Sequence, residues 1–256
     1  MSTLPALAAA WSSAALDTYL RWYHRHEVHV DAPVPDEPVL FVSNHGFGGL
    51  VDLNVLAITR IRDVAQITRP TTSLVHQLAW TLGVGPLVEA VGGRPASKQA
   101  ADDAFAADNH VLVSPGGDLD AGKSWRDRNR IQFDQRCGFA RLAIEHGVPV
   151  VPIVTAGAGE SALVISDGQR LARALRLPKL LRLKALPISL TAPWGLSIGV
   201  AGMLPYTAAP AKLSSAVLPA MTPQPGESAE DFAQRIQTAM QSRMDDLVAD
   251  RIPVLG

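Results

Sequence analysis

The sequence predicts an α/β fold: a mostly parallel central sheet flanked by helices, with amphipathic helices at both chain ends. Three observations predict it. Short apolar runs at 39–42, 111–113 and 148–154 have the length and composition of buried strands. Segments with helical spacing of apolar residues alternate with them. The chain has 256 residues, 47% hydrophobic and 18% charged, which is enough to bury a full core without cross-links. Lys and Arg number 23 against 24 Asp and Glu, so the net charge is −1, and no nucleic-acid partner is expected. The single cysteine, Cys137, excludes an intrachain disulfide and a Cys-based zinc cluster, and reads as a small buried hydrophobe.

The elements follow in order. Over residues 4–23, Leu4, Leu7, Trp11, Ala15, Tyr19 and Trp22 recur at steps of three or four, which predicts a helix. Its aromatic face, with Trp11 and Trp22, suits a membrane interface. No Lys or Arg precedes Arg21, so no secretory signal is expected and the cytoplasm is the default compartment. His24, His26 and His29 read as surface residues, because His26-Glu27-Val28-His29 is one residue too short for H-E-x-x-H; no metal is expected. After the 39–42 strand, residues 52–60 look helical. Gly138 to His146 reads as a helix closed by Gly147. Residues 185–211 carry no charge, but Pro187, Pro193, Pro205 and Pro210 argue for strands and turns, with an apolar loop touching lipid, over a spanning helix. Residues 228–249 form a last helix, with Ser228 and Asp231 at capping-box spacing and Phe232, Ile236, Met240, Met244 and Leu247 as its buried stripe. The expected division is an N-terminal helix at 1–30, an α/β domain at 31–222, and a C-terminal helix at 223–256 packed on that domain.

Three motifs tempt and fail. Gly117 to Ser124 fits the phosphate-loop pattern G-x-x-x-x-G-K-[ST], yet it places Asp118 and Asp120 where anionic phosphate would sit. Gly195 to Gly199 fits the G-x-S-x-G elbow of serine hydrolases, but no histidine follows Ser197. Gly157 to Ala162 fits a loose dinucleotide fingerprint, but residues 168–226 contain no Asp or Glu to bind a ribose.

Ser43-Asn44-His45-Gly46 ends the first buried strand, and Asp52 follows seven residues after His45. Strand ends are where open α/β sheets place their working groups. A carboxylate beside a histidine fixes its tautomer and stabilises its protonated form, which suits general-base chemistry on a hydroxyl. Gly46 lets a substrate approach the backbone closely.

In order along the chain, four blocks resemble the lysophospholipid acyltransferase superfamily of glycerolipid acyltransferases. Asn44-His45 with Asp52 resembles its N-H-x4-D block, although the family's acid position is Leu50 here. Gly92 to Ser97, including Arg94, resembles the second block. The strand at 111–113 followed by Ser114-Pro115-Gly116-Gly117-Asp118 resembles the third, with Gly116 and Leu119 in place of the family's Glu and phosphate-binding Arg. Gly147 to Ile153 resembles the fourth. The Pro-Gly-Gly third block is closer to the diacylglycerol acyltransferase-like branches. The resemblance implies His45 as base and Asp52 as its partner, with Asn44, Gly46, Arg94, Ser97, Pro115, Gly116, Gly117 and Asp118 around the substrate. Lys123, Arg126, Arg128, Arg130 and Arg136 are candidates to replace the missing Arg. It also implies acyl-CoA or acyl carrier protein as co-substrate, a glycerolipid or lysophospholipid acceptor, and no bound cofactor.

Arg170, Arg173, Arg176, Lys179, Arg182 and Lys184 lie in one stretch without an acid, interleaved with leucines. That pattern suits an anionic membrane surface. The expected protein is a membrane-associated acyltransferase, peripheral on the cytoplasmic face of the cell membrane. The alternatives are a phosphate-loop nucleotide hydrolase and a non-catalytic lipid-binding protein.

Overall fold

The computed structural model describes residues 14–47, 52–81, 83, 85–180, 184–199 and 206–256. The three apolar runs become strands, among ten strands that the described residues form. In chain order these are β1 (Glu27–Val30), β2 (Leu40–Ser43), β3 (Thr71–Val75), β4 (Gly93–Pro95), β5 (His110–Val113), β6 (Val150–Ala156), β7 (Leu163–Ser166), β8 (Ile188–Thr191), β9 (Gly195–Ile198) and β10 (Ser214–Val217). Seven of them form one sheet in the order β1-β10-β6-β2-β5-β3-β4. From β6 to β4 all neighbours are parallel, and only the β10–β6 pair is antiparallel. Strands β7, β8 and β9 form a separate antiparallel sheet.

The helices that position the site are α1 (Leu53–Val64), α2 (Lys98–Ala106), α3 (Gly117–Ala121), α4 (Gly138–His146), α5 (Gln169–Ala174), α6 (Leu177–Leu180) and α7 (Ala229–Val248). The period of two along β2 sorts the core into two layers. Leu40 and Val42 pack with Ala101 of α2, Ala140 and Ala143 of α4, and Phe232, Ile236 and Met240 of α7. Val39 and Phe41 pack against Ala57 and Ile61 of α1 on the other face. Helix ends follow local chemistry. Ser97 caps α2 and Ser228 caps α7 by accepting backbone N–H groups. Gly147, at φ 63°, closes α4 in the left-handed region, as the spacing predicts.

Some expectations need correction. The described part of the first helix ends in a π-helical turn, Tyr19–Tyr23, and Trp11 lies outside the described residues. Residues 27–30, assigned to that helical segment, are instead an edge strand paired in parallel with β10. This pairing buries the turn before it, so His24 and His26 are interior rather than surface residues, and only His29 stays exposed. The Nδ1–H of His24 donates to Ala211 O (2.8 Å), and Nε2 of His26 shares a hydrogen bond with Ser215 Oγ (2.8 Å). Cys137 is half-buried and its thiol donates to Glu230 Oε1 (3.0 Å), because it precedes α4 where the start of α7 crosses.

Candidate active site

The C-terminal ends of β2, β5 and β6 lie side by side. Asn44 extends the β2–β6 ladder with its side chain: its Nδ2 donates to Thr155 O (3.0 Å), and its Oδ1 accepts from Thr155 N (2.9 Å). This clamp fixes the backbone from which His45 projects. Asp52 is the N-cap of α1, with Oδ1 accepting from Asn54 N (2.8 Å) and Gly46 N (3.2 Å). Its Oδ2 accepts from His45 Nδ1–H at 2.7 Å. The capping role orients the carboxylate, so Asp52 meets the histidine although it lies two residues beyond the usual acid position. Gly46 is required by space, since a Cβ there would lie 2.6 Å from the Ala158 Cβ and 2.9 Å from Asp52 Oδ1.

A second carboxylate holds the loop from below. Asp120 Oδ2 accepts the backbone N–H of His45 (2.6 Å), and its Oδ1 accepts from Lys123 Nζ (2.8 Å), which also donates to Arg130 O (3.1 Å). Both side chains of this pair are buried, at 1% and 4% exposure. The His45 ring is about a quarter open, with 24% of its side chain exposed. Burial acts to lower its pKa, but the hydrogen bond and charge of Asp52, helped by Asp120, outweigh that and hold it above the ordinary histidine value. With Nδ1–H given to the carboxylate, Nε2 is the ring atom left to take a proton.

Next to this site is a cavity of about 480 Å³, lined by Leu74, Val113, Phe139 and Leu142 and by the predicted Ser97, Pro115 and Arg136. Ser114, also in its wall, shares a hydrogen bond with Ser43 at the end of β2 (2.8 Å). Arg136 Nη1 donates to Pro115 O (3.0 Å) and Nη2 to Asp118 Oδ1 (3.2 Å). Gly117 sits at φ 53°, and a Cβ on it would strike Arg136 Nη1 at 2.2 Å.

The remaining predicted residues fall elsewhere. Arg94 is exposed on β4 and donates to Gly93 O (2.8 Å). Arg126 is exposed on a short 3-10 turn. Lys123 is turned into the protein and spent on Asp120, and Gly122-Lys123-Ser124 follows α3 instead of opening a helix. A phosphate loop therefore does not form. The N–H of Gly117 is committed to Ser114 O (3.2 Å). Ser197 is buried in a strand of the small sheet, with no elbow. Arg170, Arg173, Arg176 and Lys179 are exposed, and among the described residues none of them forms an ion pair; Trp22 is exposed as well.

Sequence reasoning missed Asp120, Asn54 and Thr155. Asn54 Nδ2 donates to Asn44 O (2.8 Å), a contact foreshadowed only by the Asp52-x-Asn54 spacing. Thr155 Oγ1 continues the polar chain to Ser215 Oγ (2.7 Å) and so to His26. Nothing local marks Thr155, because its partners come from β2 and β10.

Comparison with known proteins agrees with this architecture. A family model described as Acyltransferase matches residues 25–156. A chicken protein named "DGAT1/2-independent enzyme synthesizing storage lipids" is 27% identical over 165 residues, 63% of this chain and 48% of that protein. An uncharacterized protein of Mycobacterium tuberculosis is 27% identical over 175 residues, 66% of this chain and 48% of its own. The chain thus spans about half the length of the curated relatives it matches. The crystal structure of the 1-acyl-sn-glycerophosphate acyltransferase PlsC from Thermotoga maritima superposes with a TM-score of 0.53 at 14% identity, covering 97% of this chain and 85% of that one, a likeness of fold. With the family match over half its length and the fold in agreement, the chain belongs to the acyltransferase family, in the glycerolipid acyltransferase superfamily that its four sequence blocks resemble.

Proposed function

We propose that this protein transfers a fatty acyl group from an acyl thioester, acyl-CoA or acyl carrier protein, to the hydroxyl of a glycerolipid at the cytoplasmic face of a membrane. The observation that carries this reading is the 2.7 Å contact between His45 and Asp52 at the C-terminal edge of the sheet. In this mechanism the acceptor hydroxyl gives its proton to His45 Nε2 as its oxygen attacks the thioester carbonyl. Asp52 stabilises the imidazolium that results. The tetrahedral intermediate then collapses, the ester forms, and the leaving thiolate takes the proton back from His45 as a thiol.

The acceptor favoured is a neutral one, a mono- or diacylglycerol. Each cation lining the cavity already faces a carboxylate: Arg136 faces Asp118, Arg141 faces Glu230, and Lys98 faces Asp102 and Glu145. The arginine that would receive an acceptor phosphate is replaced by Leu119. The chicken relative, named for storage-lipid synthesis, points the same way. Among the described residues no helix is long and apolar enough to cross a membrane; attachment through the exposed cations at 170–179 and through Trp22 is part of this proposal.

The test is a mass-spectrometric screen of mono- and diacylglycerols, lysophospholipids and glycerol phosphate with acyl-CoA, run with wild type and His45→Ala. Acylation of the neutral acceptors, reduced roughly a hundredfold or more in folded His45→Ala, is expected. Near-normal turnover by folded His45→Ala would remove the mechanism, and preference for lysophospholipids would replace the neutral acceptor.

A further inference from the structure

The small sheet β7-β8-β9 alternates the opposite way from a sheet that shows one face to water. Such a sheet turns apolar residues to the core and polar ones outward. Here Ser189, Thr191 and Ser197 are buried, on the side where Val164 packs with Phe47 and Tyr206. Leu163, Ile165, Leu190, Leu196 and Ile198 stand outward, each 42–66% exposed. The register sets them in rows: Leu163 pairs with Leu190, Leu190 with Leu196, and Ile188 with Ile198. Trp194, between β8 and β9, is half exposed. A contiguous apolar patch of this kind marks a contact surface.

The chemistry around the patch selects its occupant. The connection from β7 to β8 closes at its base, where Leu186 N donates to Asp167 O (3.0 Å), and it carries α5 and α6. Arg170, Arg173, Arg176 and Lys179 are exposed along it, with Leu175 and Leu180 exposed between them. Residues 168–226 contain no acid, and 185–211 contain no charge at all. An apolar face flanked by the exposed cations of α5 and α6, none of which forms an ion pair among the described residues, matches a bilayer with anionic headgroups, where leucines meet acyl chains and cations meet phosphates. A second copy of this chain would set the same cations against each other.

We infer that the outer face of β7-β8-β9 inserts into the boundary between headgroups and acyl chains of an anionic bilayer, with the cations of α5 and α6 on the lipid phosphates. The inner face of that sheet reaches the His45 loop through Phe47, whose ring lies 5.6 Å from Tyr206. Asp118 binds the other end of the connection by accepting the N–H groups of Lys184 and Ala185. Docking therefore holds the site against its lipid substrate. The inference rests on the reading that the reaction takes place at a bilayer, but vesicle binding is measured without turnover.

The test is co-sedimentation of the full chain with phosphatidylcholine vesicles, with and without phosphatidylglycerol. Wild type binds the anionic vesicles. Leu196→Ser/Ile198→Ser weakens that binding about tenfold, Leu196→Glu/Ile198→Glu weakens it further, and Arg173→Gln/Arg176→Gln weakens it on anionic vesicles alone. These side chains are exposed, so melting temperatures stay close to wild type. Unchanged binding by both apolar variants overturns the inference and leaves bilayer attachment standing. Failure of wild type to bind any vesicle sinks both. A wild-type dimer in light scattering that Leu196→Glu splits into monomers overturns the inference in favour of a second copy.

Discussion

Replacing Lys123 by Met separates a structural cation from a ligand-binding one. Lys123 and Asp120 are both buried, at 4% and 1% exposure, and their 2.8 Å contact is the principal neutralisation of the Asp120 charge. Removing one partner of a buried pair costs about 3–5 kcal/mol, because the other charge is left without compensation. For a chain of this length that is a fall in melting temperature on the order of 10 °C. Asp120 also accepts the N–H of His45, so the damage reaches the site. Lys123 opposes protonation of His45, and its loss moves the pKa of that ring further up. In Asp120→Asn/Lys123→Met the Asn oxygen still accepts from His45 N–H and no charge is buried, so most of the stability returns. Thermal and urea unfolding of wild type, both single variants and the double variant give the coupling directly. If Lys123→Met unfolds with wild type, the buried pair is not what holds the loop, and Lys123 becomes available again as a substrate contact.

The site and the interior also respond to pH. Activity is expected to rise with pH as His45 loses its proton, at a pKa held above 6.5 by Asp52. Asp52→Asn removes that cause, so the acid limb moves to lower pH while the plateau drops roughly a hundredfold or more; a pH–rate profile with an unmoved limb would exclude the pairing. Burial pushes His26 down to about 3 and His110 down to about 4, with Arg60 and Arg69 adding to the effect. His110 Nδ1 accepts from Val39 N (3.1 Å), a bond that requires the neutral ring. Both groups are neutral when folded and take protons near pH 6.5 when unfolded. Stability is therefore lost as pH falls from 6.5 toward 4, by up to about 1.4 kcal/mol per pH unit for each histidine. Urea unfolding of His26→Gln between pH 7 and pH 4 is expected to show a flatter loss than wild type (about one histidine's share); identical slopes would refute the assignment.

Elements governed by neighbours in sequence were legible without coordinates. The strands at 40–43 and 110–113, the helix at 138–146 with its closing Gly147, and the capped helix from Ser228 follow from period, capping and chain stiffness, all local properties. So did the candidate pair His45 and Asp52, because one strand end and one helix cap bracket them within a short loop. What depended on distant partners was not legible. His24 and His26 carry no sign of burial in their own sequence; β10 buries them by pairing with β1 from nearly two hundred residues away. Lys123 fits a phosphate-loop pattern; its charge answers Asp120 three residues away, and only the tertiary structure reveals that Asp120 accepts the N–H of His45 beyond β2, so that the pair steadies His45. In the sequence, residues 185–211 read as strands and turns with an apolar loop touching lipid, with nothing to say which residues face outward. Only the packing of the small sheet decided which face its leucines and isoleucines occupy, because a strand's two faces are assigned by what covers each of them and not by the alternation itself.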